Sequence, residues 1–354
     1  MALSHGISLL NRHPARWTGL ALACALTAGC GLVVDAIQLV QPIAADEVDR
    51  ICAKGRLDIG LAVEPRMPFV FPAIWTDEGS RVTGLDVDLV KAVAETLARQ
   101  CGTGSVRPVI HLVRFHNLFV ELNEGKLDLF VSAVTANVPT PTRAGLAYSA
   151  PYFTDGALGG IARRPELIPL IRGRLAALPA GTPSAAAANR AFAGLTVAVQ
   201  DGAHAQLYAD AHLPAATLIL CDSLPAAFET ADPPADIVLG NVPVFRYLTE
   251  RVRKEWRLVT LADGTPLVLR REQYAVVMAE ESYRLRRLID DLLFDMGRSE
   301  RLSRLQRRWF DEPYAYPRRA ATEGLPFDVE KMAQQFNQGH CRKPLTRQTH
   351  GGIP

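Results

Sequence analysis

The residues best placed to do chemistry gather in Thr140-Pro-Thr-Arg-Ala-Gly-Leu-Ala-Tyr-Ser-Ala-Pro-Tyr-Phe153, which follows a run from Phe115 to Asp128 and an apolar strand through Ser132 and Thr135. A guanidinium at Arg143, reached from a buried strand across a polar turn, can hold a carboxylate with two parallel hydrogen bonds. An isolated Thr-x-x-Arg would instead read as a surface arginine in a Pro-rich loop. Farther on, Val197-Ala-Val-Gln-Asp-Gly-Ala-His204 reads as a strand turning into a helix. The N–H groups starting at Gly202 could bind an anion at that helix start. Zinc-type Cys/His spacing, a Gly-Lys-Ser/Thr phosphate loop and a Gly-x-Ser-x-Gly elbow are absent. Neither a metal nor a cofactor is expected, and no catalytic residue is assigned.

The elements that must position these groups alternate. Leu57 to Val63 reads as a strand, Gly84-Leu-Asp-Val-Asp-Leu89 opens a helix with carboxylates in its first turn, and Leu85, Leu89, Val93 and Leu97 recur at helical spacing. Strands over Pro108–Phe115 and Asp128–Val134 flank a helix from Asn117 to Glu124. A second series follows: strands at Leu195–Val199, Thr217–Cys221 and Asp236–Leu239, with helices from Gly202 and Pro243. Tyr274 to Met278 reads as a returning strand, and Leu285, Leu288, Leu292 and Met296 mark a helix. Gly297 and Ser299 supply a stop and a fresh N-cap for a last helix ending at Trp309-Phe310. Alternation of this kind implies doubly wound, mostly parallel α/β sheets. The Ala/Pro-rich stretch 163–191 breaks the pattern and reads as a mobile insertion, and 311–354 as a loosely held tail. The 354 residues, 48% apolar and 21% charged with a net charge of +2, suffice for two cores and offer no electrostatic case for nucleic acid.

Residues 1–45 read as a targeting leader, with Arg12 and Arg16 before an uncharged apolar run from Trp17 to Gly29. Leu26-Thr-Ala-Gly-Cys30 resembles a lipobox whose cysteine is lipidated, with Thr27 at a position usually aliphatic. A cleavage after Ile43-Ala-Ala45 and an uncleaved anchor over Trp17–Val40, in which Asp35 would be costly, stay open beside it. Each places the body outside the cytoplasm. There Cys52, just before the first strand, and Cys101, just after the first long helix, would end on one side of a βα unit. A disulfide between them would contribute about 4 kcal/mol by loop closure; two buried free thiols are the alternative. Cys221 and Cys341 remain unassigned.

Pro68-Phe69, Gly84 to Leu89, Phe115 to Asp128, Thr-Pro-x-Arg, Pro151-Tyr152-Phe153 and Trp309-Phe310 occur in one order across about residues 50 to 310. In that order they resemble the amino-acid-type periplasmic solute-binding proteins, the family 3 extracellular substrate-binding proteins of ABC transporters. The resemblance implies a two-lobed periplasmic-binding-protein-like fold (type II) with two hinge crossings and the ligand in the cleft. Lobe 1 would comprise 46–158 and 274–310, lobe 2 159–273. It further implies a periplasmic monomer that hands a small carboxylate-bearing solute, an amino acid or related organic acid, to an ABC permease.

Carried over residue by residue, the resemblance makes Phe115 an aromatic against the ligand and Phe69 a neighbouring aromatic of the site. Ser132 and Thr135 become hydroxyl and backbone donors, and Arg143 the carboxylate clamp. About three extra residues (Asn137-Val-Pro) precede Thr140 and one fewer follows Arg143. In the second lobe Gly202 and His204 stand where the family offers hydroxyls, and Ala203 has none. Asn241 takes the place of an aspartate that pairs with the ligand's α-ammonium. A buried ammonium lacking its counter-charge is penalised by about 3–5 kcal/mol. Either Asp201 or Glu64 takes over, or the ligand is not an ordinary α-amino acid. Arg66 could favour a second acidic group, though it reads first as an exposed loop arginine. Two other functions share the fold: a periplasmic accessory or sensor with a changed ligand, and a cyclohexadienyl-dehydratase-like enzyme, for which only Glu64, Asp201 and His204 could supply an acid.

Overall fold

The computed structural model describes residues 46–64, 66–77, 79–136, 144–175, 181–229, 234–327 and 340–342. The leader with Cys30, and Arg143 with its Thr-Pro turn, lie outside the described residues.

The chain starts with α1 (Glu47–Lys54) and β1 (Arg56–Ala62), buried along all but its first residue, as expected for a central strand. A short hairpin, β2 (Ile74–Thr76) and β3 (Gly79–Val82), precedes α2 (Leu85–Gln100). Gly84, at φ 142°, lets the chain enter α2 against Phe69, whose carbonyl oxygen a Cβ would meet at 2.0 Å. Leu85, Leu89, Val93 and Leu97 are all buried, as their spacing requires. Then come β4 (Arg107–Val113), α3 (Phe115–Asn123), β5 (Leu129–Phe130) and β6 (Leu146–Tyr148).

The second series runs β7 (Phe153–Ala162), α4 (Leu167–Arg174), α5 (Ala185–Phe192), β8 (Thr196–Gln200), α6 (His204–His212), β9 (Thr217–Cys221), α7 (Leu224–Glu229), β10 (Ile237–Asn241), α8 (Val242–Arg251), β11 (Arg257–Leu258) and β12 (Arg270–Tyr274). The chain then returns through β13 (Val277–Ala279) to α9 (Tyr283–Arg298), α10 (Arg301–Phe310), α11 (Arg318–Glu323), β14 (Leu325–Pro326) and β15 (Cys341–Arg342).

Two principal sheets result, the two lobes of a periplasmic-binding-protein-like fold. The first has the order β4-β1-β5-β13-β6, the second β11-β7-β10-β8-β9-β15 with β12 also on β7. Parallel strands β4-β1-β5 form one side of the first sheet, continued by antiparallel β13 and β6, and β9-β8-β10 form the centre of the second, flanked by antiparallel β15 and β7. The returning segment is two strands rather than one: β12 ends in the second sheet at Tyr274 and β13 begins in the first at Val277. Ser299 closes α9, and the N-cap of α10 is Glu300, at φ 55°.

Two sequence expectations are corrected. Within 163–191 the described residues form α4 and α5, whose Leu167, Ile171, Ala188 and Phe192 are buried in the second core, so the alanines pack a helix instead of loosening a linker. The described residues after Phe310 are held too. Tyr314 and Tyr316 pack on Phe71, Ala320 is buried, β14 pairs with β3, and Phe327 bridges to Ile110. A disulfide, Cys221–Cys341, then pins β15 to β9.

Cys52 and Cys101 are also bonded, with Cα atoms 5.3 Å apart. Non-reducing peptide mapping is expected to link 52 with 101 and 221 with 341. Reduction should destabilise the fold by about 4 kcal/mol per long loop opened, read as a drop in melting midpoint.

Candidate functional site

The site lies where the strand ends of the two sheets face each other. Arg66, in the segment after β1, is its centre. The sequence reading placed it in an exposed loop; it is 4% exposed, and its guanidinium carbon sits 4.2 Å from the centroid of the Phe115 ring. Its Nη2 donates to Gln200 Oε1 at 2.5 Å and its Nη1 to Asn241 Oδ1 at 3.2 Å. Those acceptors end β8 and β10, so one side chain of the first lobe is held by two strand ends of the second. Burial pulls the guanidinium's pKa down, while Glu64, Tyr274, Asp86 and Glu272 act in the opposite direction.

Of the residues singled out in the sequence, Phe115, Thr135, His204 and Asn241 line this cavity, with Ala133, Ala203, Gln200 and Glu272 beside them. What remains around Arg66 measures about 20 Å³, room for about one water. Asn241 spends its amide within the protein: Nδ2 donates to Tyr274 Oη at 2.8 Å and to Glu272 Oε2 at 3.4 Å. Glu272 also meets His204 Nδ1 at 2.5 Å. It thus brings a carboxylate beside Asn241, where the sequence reading had looked to Asp201 or Glu64. Asp201 instead pairs with Arg342 at 2.6 Å.

Other expected site residues stand behind the cavity. Glu64 accepts the Phe115 N–H at 3.2 Å, a carboxylate at the start of α3 that fixes the ring under Arg66. Ser132 Oγ accepts the Ala62 N–H at 2.7 Å and ties β1 to the strand end after β5. Gly202 donates to Gln206 Oε1 at 2.8 Å, so its N–H is already engaged. Phe69 is fully buried among Phe153, Tyr274 and Phe310 and does not line the cavity.

Sequence reasoning passed over Gln200, Glu272 and Asp86. Glu272 and Tyr274 are the inward pair of an alternating strand, a legible signal; Gln200 is simply the last residue of its strand. Asp86 accepts Tyr152 Oη–H at 2.8 Å and the Ala133 N–H at 3.1 Å. These bonds hold Ala133 at φ 48°, a left-handed conformation costly for alanine, at the floor of the cavity.

A family model, bacterial extracellular solute-binding proteins, family 3, matches residues 62–312. Among solved structures, a mutant ArgBP from T. maritima is 25% identical, covers 75% of this chain and 99% of its own, and has a TM-score of 0.57. AbpA from Streptococcus pneumoniae, bound to L-arginine, is 21% identical over 74% of this chain and 97% of its own, with a TM-score of 0.58. The ancestral amino acid-binding protein AncCDT-1, a precursor of cyclohexadienyl dehydratase, is 22% identical over 75% and 100%, with a TM-score of 0.57. A search of curated proteins found no match.

Burial pushes the Asp86 carboxyl up to about 7 from 3.8. The folded form therefore binds more protons than the unfolded chain between those values, so this group's contribution to stability falls as pH rises through the window. Asp86→Asn is expected to flatten that slope. Relative to wild type the variant should gain on the order of 2–4 kcal/mol in urea unfolding between pH 4 and pH 8. An unchanged slope would show that Asp86 is ionised throughout.

Proposed function

The chain belongs to the bacterial extracellular solute-binding proteins, family 3, and from that premise we propose that its solute is a small organic acid lacking a cationic side group, delivered to an ABC permease. The observation that carries this reading is Arg66: a fixed guanidinium occupies the face of Phe115, between Gln200 and Asn241. In AbpA a protein of this fold is bound to L-arginine; here the chain's own arginine stands in the cleft and repels a second cation. Its partners are neutral amide oxygens from two different strands, whereas a carboxylate can take the guanidinium in a bidentate ion pair. An incoming acid can therefore draw Arg66 off them. Arg143 is the proposed second cation, clamping the carboxylate. The body works as a monomer outside the cytoplasm, with either lipidation at Cys30 or cleavage near Ala45 releasing the leader.

One observation favours a second reading, elimination chemistry on the same fold: the His204–Glu272 pair lines the cavity and could position a proton. Incubation with cyclohexadienyl acids should give aromatic product if that reading holds and none if the protein only binds.

A thermal-shift screen of dicarboxylates, aromatic acids and amino acids, followed by calorimetry, tests the main reading. Saturable stabilisation is expected from an acid and none from arginine or lysine; tight arginine binding by wild type would overturn it. Arg143→Ala should weaken the acid by about 30-fold or more. Asn241→Asp should weaken it as well, because the new carboxylate would pair with Arg66 itself.

A further inference from the structure

We infer that the cleft is a guanidinium-binding site filled in cis by Arg66, which acts as a built-in ligand joining the two lobes. This deepens the reading above and rests on it for the identity of the cleft.

The groups around Arg66 are the ones a planar cation needs. One π face lies beneath it, that of Phe115 at 4.2 Å. Two amide oxygens, of Gln200 and Asn241, approach in the donor directions. The buried carboxylates of Glu64, Asp86 and Glu272, 5%, 0% and 3% exposed, surround it. Each of these groups favours a cation, and among the described residues all three carboxylates act on Arg66. The fit to the tethered guanidinium is incomplete: Arg66 Nε has no hydrogen-bond partner among the described residues, although the atom is buried. A tether from the first lobe reaches the acceptors without satisfying every donor, whereas a free guanidinium could rotate to do so.

The partners also come from both sides of the cleft. Arg66 and Phe115 follow β1 and β4 of the first sheet; Gln200 and Asn241 end strands of the second. In a hinge-bending protein a solute gripped by both lobes favours closure. Arg66 makes the same bridge covalently attached, so closure proceeds with the chain's own cation in place. Truncating Arg66 beyond Cβ would leave buried acceptors unpaired around a cavity of guanidinium shape, and buried acceptors without donors are costly.

The test is chemical complementation. Arg66→Ala is titrated with guanidinium chloride up to about 50 mM, against sodium chloride at equal ionic strength, by calorimetry and thermal shift. Saturable binding with a Kd on the order of 1–10 mM is expected, with a rise in melting midpoint. Wild type, already filled, should show neither. A folded Arg66→Ala with no saturable uptake to about 50 mM overturns the inference. If Arg66→Ala does not fold, the Gln200→Ala, Asn241→Ala double variant decides from the other lobe. Its small-angle scattering should show a longer particle than wild type, and identical profiles overturn the proposal. The outcome is separable from that of the solute screen: guanidinium uptake reports on the acceptor cage, whichever acid wild type binds or fails to bind.

Discussion

Everything at the centre of this molecule depends on one buried guanidinium. A cation 4% exposed survives only if its donors find acceptors and its field finds compensation. Arg66 obtains both by reaching from the first lobe to the strand ends of the second. The neighbouring elements are arranged accordingly. Glu64 holds the start of α3 so that Phe115 lies under the cation, and Asp86 with Tyr152 holds the Ala133 turn beside it. Both carboxyls are raised to about 7 by burial, so their charge, and with it the field on Arg66, changes near neutral pH.

The hinge and the site share a residue. Phe69, Phe153, Tyr274 and Phe310 form an aromatic cluster whose ring centroids lie 5.1–5.6 Å apart. Phe153 opens β7 just after the chain first leaves the first sheet, and Tyr274 ends β12 just before it returns. The hydroxyl of that same Tyr274 accepts from Asn241, which holds Arg66. A shift of the strands at the hinge therefore moves an acceptor of the cation, and loss of the cation loosens a hydrogen bond on the hinge strand.

The fold was readable because its cues are local and repeated: helical spacing in α2, apolar strands, and family segments in fixed order. Several of those segments proved to be supports. Asp86, Tyr152, Ser132 and Phe69 brace the cleft from behind, which is why they can be recognised while the cleft itself diverges. Arg66 was misread because Glu64-Pro-Arg-Met67-Pro carries no periodicity and its acceptors lie 134 and 175 residues away in sequence. Asn241 looked like the loss of a counter-charge. In the folded chain it is the neutral acceptor that a resident cation can use, and the carboxylate it seemed to lack stands at Glu272.

The C-terminal stretch extends the same logic of joining the lobes. Leu325–Pro326 pairs with β3 and Phe327 with Ile110, on the first-lobe side, whereas Cys341 is bonded to Cys221 in β9 of the second sheet. Connectivity alone therefore makes the segment between them a third covalent passage, added to the two hinge crossings at 149–152 and 275–276. Its end falls at the cleft. Arg342 pairs with Asp201 beside the end of β8, and Arg114 of the first lobe pairs with Asp222 at 3.2 Å, next to the bonded Cys221. Arg66 and the Arg114–Asp222 pair both join the first lobe to the second, so two separate contacts act on the same motion.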